Sequence, residues 1–371
     1  MAILSRSGGM AQQGWQPSET VDTLGNKYNR SVIVPRQPHR ILAVITSAVL
    51  LTGCVTTRSD RIGADDGSDS CRQQVVALDS TGNFFAEDML RGAAFGAVGG
   101  AALGGIIGGN WRSALIGAAA GAATGAAGGY LAALQQRNAD QSGIRTSLVS
   151  DLSRENAELD RTQLAFNQLM DCRFQQAREV REAHRQGRLP RGTAEAELAN
   201  LRARTQRDIA LARSIDQRIG TRGAEFDTAI ESVAPGTKAS YEARREVTPV
   251  SAQARSTVAL KLRPEAGAPE IGQLAARQPV RIRPITRGFA LVQTQDGQRL
   301  GYAEQSAFNT AGRGRALPRQ ADPRGQAAGP AVNSDARTLA ASNIARREGF
   351  SESVATAEQA AAGGGGFELA G

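Results

Sequence analysis

Nine glycines recur at four-residue spacing in the middle of this chain, and few structures accept such a pattern. Gly92, Gly96, Gly100, Gly104 and Gly108 form one series, and Gly117, Gly121, Gly125 and Gly129 form a second, with Ala, Val, Leu, Ile and Phe dominating between them. On a helix four residues advance ~400°, so each series drifts ~40° per step and leaves a slowly winding groove. A groove without side chains lets another backbone approach closely. The pattern predicts two glycine-zipper helices that pack on each other as a hairpin, or on copies as a homo-oligomer.

Water is a poor solvent for such helices. Each Gly costs ~1 kcal/mol relative to Ala in a helix interior, so the thirteen glycines from Gly92 to Gly129 cost on the order of 10 kcal/mol there. A bilayer favours helix by leaving backbone polar groups no partner outside the segment. Gly92–Gly109 and Ser113–Leu134 carry no charge, and each approaches the ~20 residues that cross a hydrocarbon core. Asn110, Trp111 and Arg112 suit a hairpin tip, and Trp111 and Tyr130 suit interfacial anchors. Residues 89–135 are therefore expected to form a membrane hairpin with both flanks on one side. The alternative is an Ala/Gly-rich low-complexity stretch at a surface.

Upstream, the apolar run Ile41–Leu51 follows Arg36, His39 and Arg40 and ends in Leu51-Thr52-Gly53-Cys54. This is the layout of an export signal, and it resembles the lipobox of bacterial lipoproteins. The resemblance implies a signal peptide over 36–53, lipid on Cys54 as the one covalent group, and no cofactor. Val55 after that cysteine, in place of Asp, implies the outer membrane. Residues 1–35 are expected to be a disordered or untranslated extension, with synthesis starting near Val32 or Val34, and 54–88 a linker.

With Cys54 lipidated, Cys71 and Cys172 remain. An oxidising compartment permits this pair to form a disulfide; two free thiols are the alternative. Net charge is +8 without a basic patch interleaved with aromatics, so nucleic acid is not an expected partner. Aromatics make up only 4%, which argues for separate modules over one large core. No G-x-S-x-G or metal-ligand spacing occurs, and His184 is the one histidine after Cys54, so no enzymatic activity is expected.

From Ser147 the composition turns to Arg, Glu, Gln, Leu and Ala. Leu152, Leu159 and Phe166 repeat at seven, with Leu148, Leu169 and Met170 on the same side. Arg188-Leu189-Pro190-Arg191-Gly192 breaks the run, and Leu198, Leu201, Ala212, Ile215, Ile219 and Phe226 resume it, interrupted by Thr205 and Asp208. An antiparallel helical stalk over 145–233 is expected, its stripes burying each other or pairing between chains as a coiled coil.

After Pro249 the periodicity becomes two. Val258, Leu260 and Leu262 alternate, as do Val280 and Ile282, and Phe289 and Leu291, while Asp296-Gly297 is a hairpin turn. Leu260-Lys261-Leu262-Arg263, Pro269, Ile271-Gly272-Gln273-Leu274, Gly288-Phe289-Ala290-Leu291-Val292, Asp296-Gly297 and Gly301-Tyr302-Ala303 together resemble the bacterial SH3-like domain, over 256–308. Phe289 and Tyr302 stand where that family usually has tryptophan, and Gln278 where glycine is common. The resemblance implies a small barrel that contacts peptidoglycan or a periplasmic protein through Arg263, Phe289 and Tyr302. Read from the residues alone, Phe289 and Tyr302 are equally core positions. Residues 309–371, rich in Gly, Ala, Pro, Arg and Ser, are expected to form a disordered low-complexity tail, with a transient helix over 334–349.

The ladder beside a lipidated cysteine resembles small envelope lipoproteins of the seventeen-kilodalton surface-antigen type. Together the modules imply an outer-membrane lipoprotein, its soluble parts facing the periplasm, in a structural or interaction role with membrane lipid as partner. The alternative is an oligomeric glycine-zipper pore or secretion-system component.

Overall fold

Helix α4, Gln141–Arg185, begins at Asp140, whose side chain accepts from the Gly143 amide at 2.8 Å. It ends in a Schellman motif: Gly187, at φ +70°, donates to the His184 carbonyl, and Arg188 donates to the Ala183 carbonyl. Pro190 then starts α5, Arg191–Val233. The chain reverses at the breaker run Arg188–Gly192, and the ion pairs Arg173–Asp208 and Arg222–Glu155 nest about that turn as an antiparallel hairpin requires. In this computed structural model the described residues are 58–85, 129–138, 140–245, 248–285, 288–310, 336–363 and 366–369, all within the unit Thr56–Gly371. The predicted export signal, Cys54 and the ladder from Gly92 to Gly125 lie outside them.

The hairpin is not a two-helix stalk. A third long helix, α7, Ala336–Ala362, packs along both α4 and α5, so over those residues the expectation of a disordered tail with a transient helix at 334–349 is corrected; 311–335 lie outside the described residues. The composition misled because alanine contributes little side-chain area but lets helices approach closely: Ala340, Ala357 and Ala361 are buried against the bundle, with Phe350 edge-on to Phe166 at 5.8 Å. Phe367 adds to this, its ring tilted against Phe174 at 4.9 Å. A short helix, α6, Thr237–Arg245, follows α5, and its Tyr241 hydroxyl donates to Glu348 of α7 at 3.0 Å.

The expected linker over 54–88 is likewise corrected. It holds α1, Arg58–Ile62, and a helix, α2, described over 72–85, whose Val75, Leu78 and Phe85 enter the bundle core. Past the ladder the chain is described again as α3, residues 129–137, whose Leu134 packs with Leu148, Leu152, Phe226 and Ile230.

Seven strands, β1 Val250–Ala254, β2 Val258–Lys261, β3 Glu270–Leu274, β4 Pro279–Pro284, β5 Phe289–Gln293, β6 Arg299–Glu304 and β7 Phe308–Thr310, form one antiparallel sheet. Its order is β3-β2-β6-β5-β4-β1-β7. The sheet extends beyond 256–308 at both ends because β1 pairs with β4 and β7. Asp296-Gly297 turns β5 into β6, with Gly297 at φ +91° and the Thr294 amide donating to the Gln298 carbonyl at 2.8 Å. Leu260, Ile271, Val280, Ile282, Ala290 and Val292 share the main core. Phe289, Leu291 and Tyr302 form a second cluster, with Leu291 in register with both Arg283 and Tyr302.

Candidate functional site at the base of the glycine segment

Helix α2 carries the chain toward the ladder, and three fastenings fix it. Cys71 and Cys172 are joined as a disulfide with Cα atoms 6.0 Å apart and a sequence separation of 101; a loop of that size is worth up to ~4–5 kcal/mol in the chain-entropy model. Asp69 receives Arg173 bidentately at 2.6 and 2.8 Å and also accepts from the Cys71 amide at 3.0 Å. Arg61 holds Asp79 at 2.7 and 2.9 Å.

The guanidinium of Arg173 is 1% exposed and donates through Nε to Asp208 at 2.6 Å. A buried cation survives only when paired and hydrogen-bonded, and Asp69 and Asp208 provide both. Burial works against the charge on Arg173, but the two carboxylates outweigh it and hold the guanidinium above its ordinary range. At Asp69 burial is again outweighed, here by Arg173, which holds that carboxyl below its ordinary value. Burial dominates at Asp208 and pushes its carboxyl up.

At the ladder end of α2, Phe84 and Phe85 meet edge to face at 5.2 Å. Arg222 of α5 lies over the Phe84 ring at 5.0 Å and over Phe226 at 5.6 Å, anchored by Glu155 at 2.7 Å. Tyr130, at the start of α3, packs on the same Phe226 ring at 4.8 Å and donates its hydroxyl to Asp151 at 2.8 Å. Burial foremost, then Asp151, raises the Tyr130 phenol far above its ordinary range. The chain therefore enters and leaves the glycine segment at one patch, centred on Arg222 and Phe226.

Of the residues singled out from sequence, Gly129 is buried at the start of α3. Phe289 and Tyr302, 9% and 6% exposed, lie together in the second sheet cluster. Tyr302 packs with Phe289 and Leu291, and its phenol is raised first by burial and then by Glu352. Arg263 turns to the bundle, pairing bidentately with Asp171 of α4 at 2.6 and 3.0 Å. All three are thus engaged in contacts within the chain. A cleft of about 1450 Å³ beside α4, β2 and β3 is lined by charges of both signs, among them Arg178, Glu182, Lys261 and Glu270.

Arg173 and Arg222 escaped the sequence reading, which met Asp208 only as an interruption, yet Arg173 and Asp208 left a signal as a pair. Arg173 falls seven residues after Phe166, on the next step of the α4 heptad, and Asp208 interrupts the facing stripe of α5. Opposite charges at buried positions on facing stripes are the mark of an internal ion pair. Arg222 and Phe84 left none, because their contact joins segments far apart in sequence.

Among the described residues no helix is long and apolar enough to cross a membrane. No curated protein and no solved structure matches the chain. Residues 71–133 match the YMGG-like Gly-zipper family model, from the disulfide cysteine through α2 and the ladder into α3.

Proposed function

We propose that this chain is a non-enzymatic cell-envelope lipoprotein with a structural or interaction role, tethered by lipid on Cys54 and by a glycine-zipper hairpin over 89–135 that enters the outer membrane. The observation that carries this reading is the convergence of α2 and α3 on Arg222 and Phe226. A segment that starts and ends at one patch fits an even number of bilayer crossings, and the Gly-zipper match over 71–133 is compatible with a membrane-associated role. The helical bundle and sheet are then the periplasmic body at the foot of the hairpin. Disulfide bonding of Cys71 to Cys172 supports an oxidising compartment.

Within this reading the sheet serves chiefly as a packing platform. Arg263 is spent on Asp171, and Phe289 and Tyr302 are buried, which argues against a free groove for peptidoglycan at those positions. Cells fed an alkyne analogue of palmitate test the anchor. Label should appear on the wild type, vanish in Cys54→Ala, and follow the outer-membrane fraction; an unlabelled wild type refutes the lipoprotein reading.

A further inference from the structure

Helix α7 is held differently from the rest of the bundle. The buried stripe of α4 is built from Leu148, Leu152, Leu159, Phe166, Leu169 and Met170, whereas in α7 only Ile344, Phe350 and Val354 among the buried apolar side chains exceed alanine in size. Ion pairs line the rest of the contact. Arg346 pairs with Asp160 at 2.8 Å, Arg347 with Asp227, Glu358 with Arg213, and Glu352 with Arg283 and, at 3.9 Å, Arg299. Gly223 makes room for one of these, since a Cβ there would run into the Arg347 guanidinium.

The fit is incomplete in polar terms. Among the described residues, Asn343 Oδ1, Arg347 Nε and Arg299 Nη1 are buried at this contact without a hydrogen-bond partner, and buried polar atoms left unpaired weaken an interface. A helix docked by ion pairs and small side chains loses less apolar burial on leaving than α4 or α5 would, and salt loosens its hold. Among the described residues only 363 and 366–369 lie beyond it in the chain, where Phe367 packs on Phe174.

We propose that α7 is an exchangeable docking helix: it leaves the groove between α4, α5 and β6 as a unit, and the vacated groove accepts α7 from a second copy of this chain. The occupant follows from the groove's own charges. Asp160, Asp227, Arg213 and the pair Arg283 and Arg299 are placed to receive Arg346, Arg347, Glu358 and Glu352, and a second copy carries that same set. Exchange of an identical element regains the contacts it gives up, which makes it a low-cost route to association.

Gln163 of α4 donates to Ser353 of α7 at 3.2 Å and marks the docked position. In full chains with Cys54→Ala, one tagged copy carries Gln163→Cys and a second, differently tagged, carries Ser353→Cys; the copies are mixed and treated with a short bismaleimide. A mixed dimer is expected, rising several-fold between about 0.05 M and about 0.5 M NaCl as ion pairs are screened. Hydrogen exchange on the unsubstituted chain should find α7 amides opening well before those of α4 and α5, and sooner at high salt. Amides of α7 that exchange only with those of α4 overturn local release. Absence of the mixed dimer at every salt concentration, with cross-linking intact inside a chain carrying both cysteines, overturns exchange between copies.

Discussion

Arg173 occupies the step of the α4 heptad where another apolar side chain would ordinarily stand, and it is tolerated there because Asp69 and Asp208 meet all three guanidinium nitrogens. Removing it strands a buried carboxylate, so Arg173→Ala should cost about 3–5 kcal/mol in urea denaturation, whereas Arg173→Met combined with Asp208→Leu should recover much of that loss. Asp69 gives the pair a pH signature. Its folded carboxyl lies below the ordinary value of 3.8, so its contribution is present above that value and is lost as pH falls through the folded one. The stability gap between wild type and Asp69→Asn should therefore be widest near neutrality and close in acid; a gap that does not change with pH would refute the coupling to Arg173.

At the scale of elements, α2 depends on close approach to α5. A Cβ on Gly82 would lie 2.7 Å from Ile215 Cγ1, and Ile215 is fully buried, so the clash has no easy outlet. Gly82→Ala should destabilise by about 1–3 kcal/mol despite alanine's better helix propensity. Paired with Ile215→Ala in a double-mutant cycle, it should be less harmful, with a coupling of about 0.5–3 kcal/mol; strict additivity would exclude the contact. Legibility varied between elements for physical reasons. The heptad of Leu152, Leu159 and Phe166 and the alternation through Val280 and Ile282 mark α4 and β4 because each element buries one face and a regular period records it. Helix α2 read as a linker, since what makes it an element is Ile215 and Cys172, both more than eighty residues away. Helix α7 read as no more than a transient helix in a disordered tail, because alanine signals neither core nor solvent until the partner's distance is known.

For the molecule as a whole, the meeting of α2 and α3 at Arg222 makes the glycine segment separable from the body. Replacing 86–128 with eight Gly/Ser residues, a reach of up to about 27 Å, should leave a folded, disulfide-bonded body with cooperative unfolding in circular dichroism, and should reduce membrane retention in a Cys54→Ala background. Loss of cooperative unfolding would mean that the segment builds the core. The sequence by itself determined the four-residue glycine ladder, the helical hairpin with its break at Pro190 and the presence of a β module, because each is written as a short-range period or a turn residue. Tertiary structure alone decided that Cys71 meets Cys172, that Arg173 is neutralised from two other segments, that α7 completes the bundle, and that Arg263 turns to Asp171. Those outcomes rest on contacts between residues distant in the chain, and local periodicity, even where it flags a residue such as Arg173, does not name the partner.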